Sequence, residues 1–542
     1  MRRALISVFD KTGLDDFAVG LAELGVQIVA SRGSAAYISE LGLSVTPVDE
    51  LTDVPELLGG RVKTLHPRIH AAILARRDSE DDLAALEEYG IEPFDLVCVN
   101  LYPFASVAGK KDVREEEAVE MIDIGGPAML RAAAKNFVHV APVCSVDRYG
   151  SILEELRSRK DLAPSTRREL AAEAFAHTAA YEASIAGWFA DREAFPKRLL
   201  LSLEKVGDLP YGENPHQRAA LYAEAGARRH VLSRVEQLGG GNLSFNNLND
   251  LDAARAVLRE FTLPACVIVK HANPCGCALA STIEEAYEKA HSADAISAYG
   301  GVIALNRRVE RTLAVRLSEQ FVEVLIAPDY ADDALETLRR KQMRILRDRE
   351  RRGTTPGERD YVRVLGGLLA QDADADIDNR EGMRVVTSVH PDEERWGDLL
   401  FAWRVAKHVL SNAIVIAKGL QTIGIGAGQM SRVDAVRIAL DKARELGHDV
   451  TGAALATNMG PTNCSDYTMV GDTINIAARL QGQAAAGEVL VTEDAYKPIG
   501  AALPGAMRAE YLLKGISPPV AAYRLVRDPS ATAQAHDREA IK

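Results

Sequence analysis

The chain lacks any apolar run long enough to span a bilayer, and its first residues, MRRALISVFDKTGL, hold no cleavable apolar region ahead of a small-residue site. On this reading the protein is cytoplasmic and has no membrane partner. Cysteine is scarce: six in 542 residues, several inside apolar runs such as DLVCVN and PACVIV, which predicts reduced core thiols and no disulfide framework. Basic charge is in deficit. The 64 Lys and Arg stand against 77 Asp and Glu, and the net charge of −13 repels a phosphate backbone and argues against nucleic acid as a partner. No internal repeat at a fixed period is apparent.

What is present is ordinary for a soluble globular enzyme: 47% hydrophobic and 26% charged residues, in a chain long enough for two to four domains. Short β-branched runs alternate with helical patterns, the signature of a parallel sheet with crossover helices. ALISVF predicts a buried strand. Leu14, Phe17, Ala18, Leu21 and Leu24 then share one helix face that Gly25 closes, and VQIVAS predicts the next strand. A loop is expected at Arg32 and Gly33, then a short helix ending near Gly42, the strand LSVTPV, the strand DLVCVN, and a helix after Gly125 and Gly126. These elements predict one doubly wound α/β domain ending near residue 195. A second α/β unit starts near residue 200 with DLDAARAVLREF as a helix and ACVIVKH, GVIALN and NAIVIA as strands, interrupted by an exposed loop over residues 347–359. The tail from 527 onward is polar, aperiodic and expected to be disordered.

Several segments combine chemically useful side chains. Gly59 to Pro67 sets Arg61, Lys63, Thr64 and His66 in a Gly-started loop, a composition that grips a phosphate or oxyanion or, read blandly, a solvated loop with surface cations. His66 and His70 have helical zinc spacing, but Pro67 stands where the metalloprotease pattern needs Glu. Lys270 and His271 follow the strand PACVIV, which puts a cation and a base at a strand's carboxyl end, where open α/β sheets place their sites. Cys275 and Cys277 lack a second metal-ligating pair. Gly424, Gly426 and Gly428 imitate a dinucleotide loop between a strand and a helix, without the acidic residue that a nicotinamide cofactor requires. The run Asp372, Asp374, Asp376 and Asp378 has Ile377 at an EF-hand's glycine position and Met383 at that of its bidentate Glu, which leaves a solvated acidic loop.

Taken in order, VFDKTGL, LLGGRVKTLHPRIHAAILAR, NLYPF, IDIGGPAMLRAAAKN, YGENPHQ, LSFNNLNDLDAA, VIVKHANPCG, SAYGGVIALN, SNAIVIAK and TIGIGAGQMSR resemble the bifunctional AICAR transformylase / IMP cyclohydrolase family over residues 1 to 457. The resemblance implies a methylglyoxal-synthase-like doubly wound parallel sheet for the cyclohydrolase domain, 1–195, and a cytidine-deaminase-like α/β transformylase domain, 200–457. It implies purine biosynthesis: AICAR takes a formyl group from 10-formyltetrahydrofolate as co-substrate, and formyl-AICAR closes with loss of water to IMP, with no metal, in a homodimer whose transformylase site lies between subunits. By the same resemblance Lys270 and His271 serve formyl transfer, Lys63, Tyr102, Asp123 and Lys135 serve ring closure, and Arg61, Thr64, Ser31, Ser34, Tyr211, Asn247, Gly300, Asn412 and Arg432 bind substrate.

The sequence departs from the family at three places. Arg32 replaces a Gly in the phosphate-holding loop, Pro210 replaces an Arg before Tyr211, and after Thr457 the family's ending is absent. Residues 458–526 are instead similar to the last part of a class III adenylate/guanylate cyclase domain, which implies a partial ferredoxin-like fragment with Thr468, Asn475 and Arg479 at base-selecting and phosphate-stabilising positions. The half of that domain with the metal-binding aspartates is missing, so no cyclase activity is expected. A natural fusion and a sequence artefact both explain the junction, and the alternative functions are a regulatory nucleotide-binding fusion or a chain with cyclohydrolase activity alone.

Overall fold

The computed structural model describes residues 1–53, 58, 61–62, 64–110, 112–190, 194–224, 231–350, 358–375, 380–385, 390–458, 467–469, 483, 488–497, 506–512 and 519–526. The chain divides into two compact units, Met1–Val206 with Tyr222–Arg228, and Gly207–Leu221 with Arg229–Lys542.

In the first unit five strands, β1 (Arg3–Ser7), β2 (Gln27–Ala30), β3 (Val45–Pro47), β4 (Leu96–Val99) and β5 (Ala141–Val143), form a wholly parallel sheet in the order β3-β2-β1-β4-β5. Alternate residues of one strand reach opposite faces. Ala4 and Ile6 pack with Phe17, Leu21 and Leu153, while Leu5 packs with Ile69, Met129 and Leu130. Because both faces are covered, the strands read as unbroken apolar runs. The chain order turns back between β1 and β4, whose carboxyl ends therefore flank a topological switch point. One expectation fails here: Arg32 and Gly33 lie inside the helix Arg32–Glu40 and not in a loop. Gly33 occupies its first turn with nothing near its missing Cβ, so the helix passes through it at a modest propensity cost.

The second unit carries two sheets around one shared core. Strands Asn273–Leu279, Ala265–Lys270, Val302–Leu305, Val324–Ala327, Arg344–Asp348 and Val235–Gly239 are neighbours in that order, and Thr422–Gly426, Ala413–Ala417, Ala454–Asn458 and Tyr467–Met469 make the second sheet. Val267, Val269 and Phe261 from one side meet Val415, Ala417 and Phe401 from the other in a single cluster.

A repeat hidden in the sequence appears in this unit. The helix Phe245–Leu258 precedes the strand Ala265–Lys270 as the helix Glu393–Ala406 precedes Ala413–Ala417, and both offsets are the same: 393 − 245 = 148 and 413 − 265 = 148. Each of these strands turns through an antiparallel hairpin into an edge strand covered by a helix, Ile283–Ala293 or Arg432–Glu445. A Cβ on Gly276 would stand 2.0 Å from the carbonyl oxygen of Ala290, and one on Gly424 would stand 2.2 Å from that of Ala439. These glycines let a helix lie on a strand. Gly424 and Gly426 are thus strand residues and not a phosphate loop, which corrects the sequence reading. The loop expected over 347–359 is trimmed at both ends, by the strands Arg344–Asp348 and Arg359–Val364.

The junction falls at a strand end. Asn458, the last residue of Ala454–Asn458, accepts the Ala413 N–H at 3.0 Å through its side chain and donates to the carbonyls of Ala406 and Val409. The next described residues, Tyr467–Met469, pair antiparallel with that strand, and further on Glu488–Thr492, Val520–Val526 and Met507–Tyr511 form a separate three-stranded sheet.

Candidate functional site

Each unit gathers polar side chains at strand ends. In the first unit, Asn100 directly after β4 ties the switch point together: its side-chain oxygen accepts the N–H groups of Phe9 and Asp10, and its amide donates to the Asp10 carbonyl at 2.8 Å. Ser34 accepts the Val8 N–H at 3.1 Å, and the Lys11 ammonium lies against the Val8 carbonyl and 3.4 Å from the Ser34 hydroxyl. Ser31 caps the helix Arg32–Glu40 without turning its side chain onto the helix amides. The start of that helix brings Ser31, Ser34, Lys11 and the exposed Arg32 together with helix amides, a composition suited to an anion.

The helix Gly125–Lys135 also begins at the carboxyl end of the sheet, where Gly126 abuts Leu101 just beyond β4. Asp123 accepts the Gly126 N–H at 2.8 Å, and its own N–H donates at 2.8 Å to the hydroxyl of Tyr181, which donates to the Met121 carbonyl. Burial pushes the Tyr181 phenol up to about 12, so it stays a neutral hydrogen-bond relay. A Cβ on Gly125 would stand 2.4 Å from the Thr64 hydroxyl, and one on Gly126 would meet Asp123 and Leu101. Thr64, Asp123 and the Leu101-Tyr102 segment therefore converge on one helix N-terminus. Tyr102 packs edge-on against Phe9, 5.4 Å between ring centres. Arg61 is exposed and paired with Glu120. Lys135 is not in this group: it is exposed in the last turn, about 15 Å along the helix at 1.5 Å per residue. Lys63 lies outside the described residues.

His66 caps the helix Pro67–Leu74 by accepting the Arg68 N–H at 3.2 Å, so the pair His66 and His70 does not share a helix face as zinc ligands would. Cys98, Cys266 and Cys277 are buried and Cys144 and Cys275 half-buried, all free, while Cys464 lies outside the described residues. Asp372 ends a strand, and Asp376 and Asp378 are outside the described residues.

In the second unit a cavity of about 300 Å³ is lined by Lys270, His271, Asn273, Cys275, Asp294, Ser297, Gln429 and Lys442 among others. Lys270 ends the strand Ala265–Lys270 and donates to the Tyr299 carbonyl at 2.7 Å. His271 and Ala272 form the hairpin turn, both left-handed with φ of 53° and 57°. Their N–H groups donate to the Asp250 carboxylate at 3.3 and 2.7 Å. Deeper in the cavity Lys442 pairs with Asp294, which also accepts the Ser297 hydroxyl at 2.7 Å. Burial pushes the Asp294 carboxyl up, but the hydrogen bonds from Lys442 and Ser297 outweigh it and hold it below the usual carboxylate range.

Three other expected residues lie outside the lining of this cavity, and of them Asn412 bonds a lining residue, Gln429. Asn412 donates to the Gln429 carbonyl at 2.9 Å and is joined to Gln429 by backbone hydrogen bonds in both directions. Asn247 is buried, bonded to Glu323, and Glu323 in turn donates to the Gly301 carbonyl beside Gly300. Gly300 needs its positive φ of 71°, and a Cβ there would stand 3.2 Å from the Phe321 ring. Arg432 is exposed at the start of its helix, just beyond Met430, whose carbonyl Asn412 also meets. Tyr211 is exposed in a self-bonded turn in which Gly212 donates to the Gln217 carbonyl at 2.8 Å, and it lies outside the cavity lining. Thr468 sits on the strand Tyr467–Met469 without a described side chain, and Asn475 and Arg479 are outside the described residues.

Sequence reasoning missed Asp250, Asn273, Asp294, Ser297 and Lys442. Asp250 stood inside a quoted block but gave no local signal, because its partners are 21 and 22 residues away. Asp294 and Lys442 meet only through the fold.

The AICARFT/IMPCHase bienzyme family matches residues 133–442, and the MGS-like domain family matches residues 13–128. The chain is 44% identical over 460 residues, 84% of its length, to the bifunctional purine biosynthesis protein PurH of Bacillus cereus (strain B4264), and covers 89% of that protein. Among solved structures it is similar to that of ForH, at 39% identity over 35% of this chain and 98% of that one, TM-score 0.32. A second likeness, at 20% identity, is to the adenylyl cyclase CyaB from P. aeruginosa, covering 21% of this chain and 71% of that one, TM-score 0.11.

Proposed function

We infer the work of these sites from one premise: the chain belongs to the AICARFT/IMPCHase bienzyme family. It is an enzyme of purine biosynthesis with formyltransferase and IMP cyclohydrolase activities acting on small molecules. The formyl donor we propose is 10-formyltetrahydrofolate, and the acceptor is AICAR. The AICAR amine attacks the formyl carbon, a tetrahedral oxyanion forms, and the folate nitrogen leaves with a proton. His271 takes the proton from the attacking amine, and Lys270 donates to the developing oxyanion. Asn247, Gly300, Asn412, Arg432 and Tyr211 hold the nucleotide. The observation that supports this best is the placement of Lys270 and His271 at the end of the strand Ala265–Lys270, on the wall of a cavity that Asn273, Asp294 and Lys442 also line.

Ring closure is assigned to the first unit. Helix amides at Arg32–Glu40 with Ser31, Ser34 and Arg61 take the phosphate, while Thr64, Tyr102 and Asp123 face the formamido and carboxamide groups at the start of Gly125–Lys135. Lys63 and Lys135 complete the set that the family likeness brings to this reaction. A homodimer working in the cytoplasm fits this function; no helix among the described residues is long and apolar enough to cross a membrane.

The test is to assay purified protein for both steps. Lys270→Ala and His271→Ala should each lower formyl transfer by about 100-fold or more while conversion of formyl-AICAR to IMP continues. Transfer that stays within about two-fold of the parent rate in both variants sinks the assignment.

A further inference from the structure

We propose that Asp250 is the positioning residue of the formyl-transfer site: its carboxylate holds the left-handed turn that presents His271 to the cavity. The proposal rests on the assignment of His271 to formyl transfer. A two-residue hairpin turn with positive φ at both positions ordinarily uses Asn-Gly or Asp-Gly, because residues with a Cβ avoid that region. Here the two positions are His271 and Ala272, with φ of 53° and 57°. Neither is glycine, so the conformation needs support from outside the turn. Asp250, on the helix Phe245–Leu258, supplies it by accepting the N–H of Ala272 at 2.7 Å and that of His271 at 3.3 Å. Both peptide planes at the turn are thereby pinned by one charged acceptor, which makes stronger hydrogen bonds than a neutral one. With the backbone pinned on both sides of its Cα, the His271 imidazole leaves the chain in one direction.

The second half of the unit contains the same device as an internal control. Asp398, 148 positions after Asp250 (398 − 250 = 148), accepts the N–H of Gly419 at 2.9 Å and that of Leu420 at 2.7 Å. Gly419 and Leu420 are also left-handed, with φ of 62° and 56°, and they stand 148 positions after His271 and Ala272. Lys270 likewise has a counterpart in Lys418, which is spent on Asp449 at 2.8 Å. The carboxylate and the turn are present twice, but only one turn carries an imidazole. In one half the turn therefore only reverses the chain. In the other it aims a base.

The experiment compares Asp250→Asn, Ala272→Gly, their combination, and Asp398→Asn in the full chain. Asparagine keeps one acceptor oxygen and turns an amide donor toward the second N–H, so it breaks half of the clamp at nearly constant volume. For Asp250→Asn we expect kcat of formyl transfer to fall about 10- to 100-fold with KM for AICAR changed by less than about three-fold, since a misaimed base costs reaction and not binding. Ring closure should be unchanged, which shows that the chain is folded and active elsewhere. Hydrogen exchange of the His271 and Ala272 amides should quicken while Ala265 to Val269 stay protected. Ala272→Gly in the Asp250→Asn background removes the steric objection to positive φ and should recover at least about five-fold of the lost kcat. Asp398→Asn should lower the melting temperature about as much as Asp250→Asn does, without the fall in kcat.

A parent-like kcat in Asp250→Asn, equal losses of kcat in Asp250→Asn and Asp398→Asn, or no recovery from Ala272→Gly would each overturn the proposal. If His271→Ala leaves formyl transfer intact, the site assignment fails instead; the exchange measurement still reads whether Asp250 holds the turn.

Discussion

At Gly125 and Gly126 the absence of a side chain is what brings Thr64 and Asp123 to the same helix start. Gly126→Ala would drive a methyl group into the Asp123 carboxylate and Leu101, and overpacking of this kind costs about 1–3 kcal/mol. The expected result is a strong loss of ring closure with formyl transfer retained, read by assaying the two half-reactions separately. The same geometry ranks two residues that family likeness treats alike. Asp123 caps the helix at the cluster and Lys135 is exposed at its far end, so Asp123→Asn should slow ring closure more than Lys135→Ala. Equal effects would place Lys135 in the reacting group after all. Much of this was legible beforehand: Thr64, Tyr102, Asp123, Lys270 and His271 could be named from ordered motifs. The partners that orient them could not, because Asn100, Tyr181 and Asp250 reach their targets across 90, 58 and 21 residues.

Among elements, strands were readable wherever both faces are buried, as in ALISVF and NAIVIA, since burial writes continuous apolar runs into the sequence. Glycine was the source of error. Gly33 suggests a loop inside what is helix, and Gly424 and Gly426 imitate a dinucleotide loop inside what is strand. The second pair serves packing: a Cβ on Gly426 would stand 2.0 Å from the Ala435 carbonyl, nearer than any real contact allows. Gly426→Ala must therefore push the helix Arg432–Glu445 off its sheet. We expect a loss above ~3 kcal/mol or failure to fold, measured by urea unfolding, and a ligand-loop role would instead predict normal stability with weakened binding. The repeat of 148 residues escaped sequence reading for a related reason. Its halves share strand order and isolated identical residues, such as Asp250 and Asp398, Val267 and Val415, Lys270 and Lys418, and Gly276 and Gly424, which are too scattered to show as a pattern before the fold aligns them.

For the molecule as a whole, two partly buried carboxylates of the second unit set a pH limit. Burial raises Glu260, but His408 and Lys407 more than offset it, and Asp294 behaves likewise beside Lys442 and Ser297, so both lie below the ordinary carboxylate range. A carboxyl depressed in the folded state stabilises fully above its unfolded pKa and loses that contribution as pH falls through the folded value. The second unit should accordingly keep its melting temperature from neutral pH down to about pH 5 and lose it steeply below about pH 4. In Lys442→Met, which strands Asp294 in the cavity wall, stability at neutral pH should drop by more than ~1 kcal/mol and the acid limb should flatten. An acid limb identical to the parent's would show that this ion pair contributes nothing.

The two contacts just used share one more property. Positions 294 and 442 differ by 148, and so do 260 and 408, which means that each pair joins a position to its own counterpart in the other half. When two identical chains meet about a two-fold axis, a position that touches its counterpart is filled by the same residue twice, and a charged one then faces its own sign. Two halves written into one gene are free of that constraint. Carboxylate can face ammonium across the axis, as Asp294 faces Lys442, and the axis acquires a direction that no pair of identical chains can have. The halves are non-interchangeable, and the imidazole present at 271 where 419 has glycine is that same broken symmetry expressed in chemistry.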